Sequence, residues 1–385
     1  MGVLLVLYSL VALSLNWVAT LTVGSRGVAY LGVHAILTGI FFLSLRKEEL
    51  SWKTLLFWGV MLRAVLCIVP AFTSHDLDRY FWDGNLVWKG MDPYRTTPAS
   101  LGGALLPDNP NLPTLYPPLA LALFAIFAKL GVVAWKLFLA VAWCGIAWFD
   151  TKKEKSSIKL FWWLFFPLSL LEGSVGGHVD ILVGVGLFFA QRLRSGFALG
   201  LSILLKIYPV VLLPTISRKE VLVCVGTVVL GYFAAWAMGW SAVGSFVTFL
   251  REWSFGSPFG LLLPRGFLLL LLGAVFTLFW QRKMAAQKWC LALFALSPVV
   301  FPWYLVGPLA IKPFPPTSLL WIWASLLPLT YEVIDRFDSG GGWEPKRWPL
   351  YFITMGWAVA FLIRARLRAR HNGHGAIALS TEAGI

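Results

Sequence analysis

The chain has 385 residues, 58% of them hydrophobic and only 13% charged, and its mean hydropathy is +0.76. Soluble domains carry roughly 25% charged residues, so an ordinary soluble domain is excluded. At about 20 residues per crossing, the length allows about a dozen membrane spans and no separate soluble domain. The net charge of +14 would suit a nucleic-acid partner if it were gathered on one face, but it is divided among short segments that flank apolar runs. Those segments hold Arg46, Lys47 and Lys53; Lys152, Lys153, Lys155 and Lys159; Arg282, Lys283 and Lys288; and Arg364, Arg366, Arg368 and Arg370. Lysine and arginine in short loops mark the cytoplasmic side, so the charge reads as topology and no nucleic-acid partner is expected.

Apolar runs lie near 3–22, 28–44, 54–71, 116–130, 133–149, 158–172, 179–191, 197–216, 221–240, 266–280, 286–300, 302–312, 315–331 and 349–363. The first lacks a basic leader and a small-residue cleavage site, and reads as a retained span. With the N-terminus inside, three spans place the segment 72–115 outside. Its charge agrees, with five aspartates against Arg79, Lys89 and Arg95. From 115 to the lysine-rich loop at 150–159 two runs intervene where an odd number of crossings is needed. The run opening Tyr116-Pro117-Pro118 is therefore expected to be a half-helix. The run 197–216 has basic residues at both ends and Lys206-Ile207-Tyr208-Pro209 at its middle. Proline interrupts a helix, a lysine at membrane depth is costly unless it faces a cavity, and broken helices at that depth line protein or water. A cavity is expected there. Arg63, inside the third run, is expected to pair with an intramembrane carboxylate. Cys67, Cys144, Cys224 and Cys290 lie in apolar stretches at wide spacing and read as buried thiols.

The chemistry-bearing residues start directly after the third run: His75-Asp76-Leu77-Asp78-Arg79-Tyr80-Phe81-Trp82-Asp83-Gly84, followed by Gly90-Met91-Asp92-Pro93-Tyr94. Three carboxylates and an arginine within eight residues can take a proton from a hydroxyl and organise a phosphate. The plain alternative is a solvated loop, since Asp, Gly and Pro are turn residues. Tyr80, Phe81 and Trp82 interleave the charges, which a merely solvated loop does not need.

This stretch resembles the first outer loop of GT-C glycosyltransferases, membrane enzymes that use polyprenyl-phosphate-linked sugars. The branch it is most similar to contains bacterial polyprenol-phosphate-mannose mannosyltransferases and the first mannosyltransferase of glycosylphosphatidylinositol assembly. Its Asp-x-Asp, Gly-x-x-Pro-Tyr and Tyr-Pro-Pro elements match Asp76 and Asp78; Gly90, Pro93 and Tyr94; and Tyr116, Pro117 and Pro118. Glu172 with Gly177-His178-Val179-Asp180, then Lys206-Ile207-Tyr208-Pro209, then Pro302-Trp303-Tyr304 fit the same branch. The resemblance covers about residues 54 to 312.

It implies an all-α, polytopic GT-C-like domain over 1–363, with about 11 to 13 spanning helices and re-entrant or surface helices in the long outer loop. The segment 364–385 is expected to be a basic cytoplasmic tail. The implied reaction is inverting transfer of a sugar, mannose by the branch resembled, from a polyprenyl-phosphate donor to a hydroxyl of a glycan, glycolipid or protein acceptor. The site would face the non-cytoplasmic side of a bacterial plasma membrane. The general base falls on Asp76, with Asp78 as the alternative. Cations that would hold the departing phosphate are Arg79, Lys206, Arg251 and Arg265, and further substrate contacts fall to Tyr80, His178, Asp180 and Tyr208. Gly84, Gly90, Pro93, Tyr94, Tyr116 and Pro117 would shape the loop. No cofactor is required, although Asp76 and Asp78 together could hold a divalent cation. Trp303 and Tyr304 read as members of an aromatic belt or as a sugar platform. A transporter or flippase of lipid-linked sugars is the competing reading; it would spread charge over several spans and show repeat symmetry.

Overall fold

The computed structural model describes residues 1–45, 50–103, 106–253, 255–256, 286–312 and 318–342, with isolated positions between 264 and 277 and between 348 and 363. Arg265, the basic segments at 46–47 and 282–283 and the tail from 364 lie outside the described residues. Among the described residues the regular structure is helical, apart from isolated bridges that Phe255 and Gly256 make with Val299.

In chain order the helices are α1 (Gly2–Leu13), α2 (Leu15–Val18), α3 (Arg26–Ser44), α4 (Trp52–Leu66), α5 (Asp76–Trp88), α6 (Pro98–Leu101), α7 (Pro118–Leu130), α8 (Val132–Thr151), α9 (Ser157–Phe165) and α10 (Pro167–Leu170). After a π-turn at Leu171–Val175 come α11 (Asp180–Arg192), α12 (Gly196–Leu205), a 3-10 stretch Tyr208–Thr215, α13 (Arg218–Ala237) and α14 (Phe246–Glu252). The last part holds α15 (Ala286–Leu296), α16 (Val306–Ile311), α17 (Ser318–Leu326) and α18 (Ile334–Asp338).

Among the described residues three helices, α3, α8 and α13, are long and apolar enough to cross a membrane, and the bent pair α9–α10, with its π-turn, is a fourth if taken as one broken span. Their 19 or 20 residues rise about 30 Å, the thickness of a bilayer core. Proline or an extended residue interrupts two of the shorter apolar helices, α7 and α12. α7 is bounded by Pro117-Pro118 and Gly131, and its 13 residues rise only about 20 Å. α12 stops at Leu205. Lys206 then adopts an extended backbone, φ −158° and ψ 137°, before the Pro-containing 3-10 stretch. The interruption expected at Lys206-Ile207-Tyr208-Pro209 is thus present.

The bend between α9 and α10, 53°, follows from Pro167, which has no N–H to donate and cannot continue the ladder. The carbonyls freed around it are taken by Arg63 of α4. Its guanidinium donates to Trp163 O (3.2 Å), Leu164 O (2.9 Å), Ser169 O (3.0 Å) and Ser169 Oγ (3.0 Å). The expected intramembrane carboxylate partner is therefore not what Arg63 meets: a five-donor fork serves a proline break instead. Tyr8 adds a bond from its hydroxyl to Phe165 O, 2.6 Å, which ties α1 to the same break. Small residues let α12 lie against α13: a Cβ on Gly200 would fall 2.7 Å from Thr227 Cβ, and Glu220 Oε2 accepts from Gly196 N at 2.6 Å. All four cysteines are free and buried.

Candidate functional site

The acidic motif does not sit in an open loop. Asp76 begins α5, whose first turn carries Asp76 and Asp78, where carboxylates favour the positive end of the helix dipole. Two positions along a helix are about 200° apart around its axis, so the two acids diverge. Asp76 is half-buried and lines a cavity, whereas Asp78 is exposed on the other side. The pair does not offer two carboxylates to one ion, and a divalent cation between them does not fit. The third acid, Asp83, is fully buried. It accepts from Arg79 Nε at 3.0 Å and from Thr114 Oγ1 at 2.6 Å. Burial pushes its carboxyl above the ordinary range, opposed by the Arg79 charge and by the hydrogen bonds from Thr114 and Arg79. Arg79 also donates to Leu112 O at 2.9 Å, so this expected phosphate ligand lines the cavity with two of its nitrogens already committed.

α5 is pressed onto α7, and Gly84 makes that possible, because a Cβ there would run into the Phe124 carbonyl. At the other end Gly90 takes the left-handed conformation, φ +67°. Gly90 N then reaches Val87 O (3.0 Å) and Met91 N reaches Leu86 O (3.1 Å), the double bond of a Schellman stop. Beyond it Asp92 accepts from Tyr94 N (2.9 Å) and from Ser241 N and Oγ (2.9 and 2.7 Å). Pro93 O takes Thr114 N at 3.1 Å, and the Tyr94 hydroxyl donates to Tyr116 O at 2.9 Å. The three sequence elements are therefore one structure: the Gly-x-x-Pro-Tyr turn holds the Tyr-Pro-Pro start of α7 against α5. Tyr116, thus fixed, joins Tyr80 in pointing its hydroxyl at Asp76 Oδ2, at 3.4 and 3.3 Å.

Opposite this wall stands a second set of charges. Lys206 Nζ lies 3.0 and 2.8 Å from the two Asp180 oxygens and 3.9 Å above the Tyr304 ring. Asp180 is fully buried at the start of α11. His178 is fully buried too. Its Nδ1 is 2.9 Å from Glu172 Oε2, close enough for an ion pair but out of hydrogen-bond alignment, and its Nε2 has no hydrogen-bond partner among the described residues. Both Glu172 oxygens accept from the Tyr331 hydroxyl at 3.1 Å. The His178 ring stacks on Trp303 at 4.0 Å and 12°, and Phe301 stacks on Trp303 at 4.5 Å and 5°. Two rings cannot share one indole face at such distances, so both faces of Trp303 are covered. Trp303 is not a lipid-facing belt residue: it is a buried plate, 3% exposed, that lines the polar chamber.

Two chambers meet at these walls. The polar one, about 430 Å³, is lined by Asp76, Arg79, His75, Asp108, Asp338 and Lys206 among others. The apolar one, about 350 Å³, runs between Ile207, Val211, Phe246, Leu293, Phe294 and Val299. Lys206, Tyr116, Tyr304, Leu115 and Phe249 line both. Lys206 thus stands at the doorway between a chamber that suits polar groups and one that suits hydrocarbon.

Of the residues expected from the sequence, Asp76, Arg79, Tyr116 and Lys206 reach the polar chamber, while Tyr80 and Asp180 stand directly behind Asp76 and Lys206. Tyr208 lines the apolar chamber, its hydroxyl without a hydrogen-bond partner among the described residues. Arg251 is exposed and does not line either chamber. Gly84, Gly90, Pro93, Tyr94 and Pro117 are the frame around α5 and α7. Sequence reasoning missed Tyr331, Asp108 and Asp338. Tyr331 closes an apolar run, which is a weak signal; the two aspartates carry none that separates them from turn residues. No family model, curated protein or solved structure matches the chain.

Proposed function

We propose that the protein is a multi-pass membrane glycosyltransferase of GT-C type that moves a sugar, mannose as the first candidate, from a polyprenyl-phosphate donor to an acceptor hydroxyl on the non-cytoplasmic side. The observation that carries this reading is the doorway: a half-buried carboxylate in a polar chamber, an apolar chamber beside it, and one lysine shared by both. A lipid-phosphate sugar has the same order of parts. Its chain would lie in the apolar chamber, its phosphate at Lys206 and its sugar beside Asp76.

In the reaction so read, an acceptor hydroxyl oxygen attacks the anomeric carbon while the bond from that carbon to the phosphate oxygen breaks. The phosphate leaves with the electron pair and the acceptor proton passes to Asp76. A single displacement of this kind inverts the anomeric centre. Positive charge fixed near the leaving phosphate stabilises the transition state, and Lys206 supplies it, its ammonium held by Asp180 and the Tyr304 face. The chain uses about 11 to 13 crossings in this reading, with α7 and α12 as partial ones whose interrupted ends, at Tyr116-Pro117 and Lys206-Ile207-Tyr208, line the chambers.

The test is to incubate the purified protein with a panel of polyprenyl-phosphate sugars and polyhydroxylated acceptors and to follow donor consumption. Consumption with formation of one inverted glycoside supports the reading. Movement of donor across vesicle membranes without consumption would sink it in favour of a flippase.

A further inference from the structure

Asp76 has two oxygens, and the surroundings treat them differently. The hydroxyls of Tyr80 and Tyr116 both point at Oδ2, at 3.3 and 3.4 Å; no hydrogen bond to Oδ1 forms among the described residues. At these lengths each bond alone is weak, and what matters is that both meet at one atom. The two hydroxyls also lie within hydrogen-bond reach of each other, and that of Tyr80 meets the Val179 backbone, while packing fixes where the rings sit. Tyr80 lies one turn after Asp76 on α5, and its ring stacks on Phe124 at 4.2 Å and 7°. Tyr116 sets its edge against the same Phe124 at 5.2 Å and against Tyr80 at 5.1 Å, with Trp135 closing the cage at 5.8 Å from Phe124. Tyr80 is 1% exposed and Tyr116 6%. Burial first, and the charge on Asp76 second, hold both phenols protonated, well above their ordinary value. Both are therefore donors throughout the neutral range.

We propose that Tyr80 and Tyr116 are paired positioning residues that pin Oδ2 of Asp76 and leave Oδ1 as the atom that accepts the acceptor's proton. This rests on Asp76 being the general base. Two donors that meet at one oxygen fix which side of the carboxylate faces the chamber. Tyr116 also lines both chambers.

Replacing a phenol by phenylalanine keeps the ring packing and removes only the donor. Tyr80→Phe and Tyr116→Phe are each expected to lower kcat about tenfold, with KM changed by less than about threefold, as for a group that acts in the transition state. The acid limb of the kcat profile should move to higher pH in each and further in the double variant, because a carboxylate stripped of donors is protonated more easily. A merely structural role would lower activity without moving the limb. The companion measurement needs no substrate: infrared titration of the full-length protein, with Asp76 isolated by subtracting Asp76→Asn. The protonation midpoint should rise in both Phe variants and most in the double. An unmoved midpoint in the double variant would overturn the pinning, whether or not transfer is seen. A raised midpoint in a protein that consumes no donor would uphold the pinning and remove the catalytic reading. Transfer that keeps its wild-type acid limb in the double variant would overturn the positioning role alone.

Discussion

Asp83 shows how much of α5's charge serves architecture. Its carboxylate is shared by Arg79 and Thr114 in a fully buried position, and breaking a buried pair strands the remaining charge, at a cost of about 3 to 5 kcal/mol. Asp83→Ala should therefore unfold at markedly lower temperature or denaturant concentration than the unaltered protein, measured in detergent micelles. Asp83→Asn, which keeps an acceptor, should lose less. Lys206 and Asp180 pose the same question with a different answer expected. Lys206→Met should weaken donor binding and also destabilise, because Asp180 is left buried and unpaired; Lys206→Met with Asp180→Leu should recover stability but not donor affinity. Recovery of both would remove the phosphate role. The residue scale is also where the sequence was least decisive. The acidic pair was visible, but only its helical setting separates Asp76 from Asp78. The signal was present in Leu77, Tyr80 and Gly84, a buried stripe at helical spacing, obscured by the turn-forming composition around it. Arg63 was misjudged for a related reason: a lone arginine in an apolar run suggests a carboxylate, whereas the proline that frees carbonyls for it lies about a hundred residues away.

At the scale of elements, the rim of the polar chamber is drawn together by His75 at the start of α5. Its Nδ1 lies 3.0 Å from Asp108 and its Nε2 3.4 Å from Asp338 at the end of α18, and Asp338 also pairs with Arg26 of α3. The hydrogen bond to Asp108 raises the imidazole above its ordinary value, against burial and with the charges of Asp108 and Asp78 assisting; Arg26 opposes it. The sign follows from linkage: a group raised on folding adds stability that is complete below its unfolded value, about 6.5, and is lost as pH climbs through the folded value. The difference in melting temperature between the unaltered protein and His75→Gln should thus shrink as pH rises from about 6 to about 9. A difference that does not vary with pH would show that the ring contributes packing only. The interruption of α12 and the shortness of α7 were legible from Pro and Lys placement. The joining of three motifs through Gly90, Asp92 and Thr114 was not, since loop-to-loop hydrogen bonds leave no periodicity.

For the molecule as a whole, the helical, apolar character was set by composition, and what composition could not show is that two chambers share a doorway. If the apolar chamber holds a lipid chain, affinity should grow with chain length until it is filled, at about 0.8 kcal/mol per methylene buried. Val211→Trp should narrow it. The KM of a long-chain donor should then rise about tenfold or more, while that of a donor truncated to a few carbons changes little. Equal effects on both would mean that the chain lies elsewhere. Most directly, transfer can be followed in a single turnover with labelled polyprenyl-phosphate mannose, comparing the unaltered protein, Asp76→Asn and Asp78→Asn. Asp76→Asn should bind donor normally and slow transfer by about 10² to 10⁴, with Asp78→Asn within about threefold of the unaltered rate. Unchanged transfer by Asp76→Asn, or equal losses in both variants, would contradict the assignment of Asp76 as the base facing the doorway.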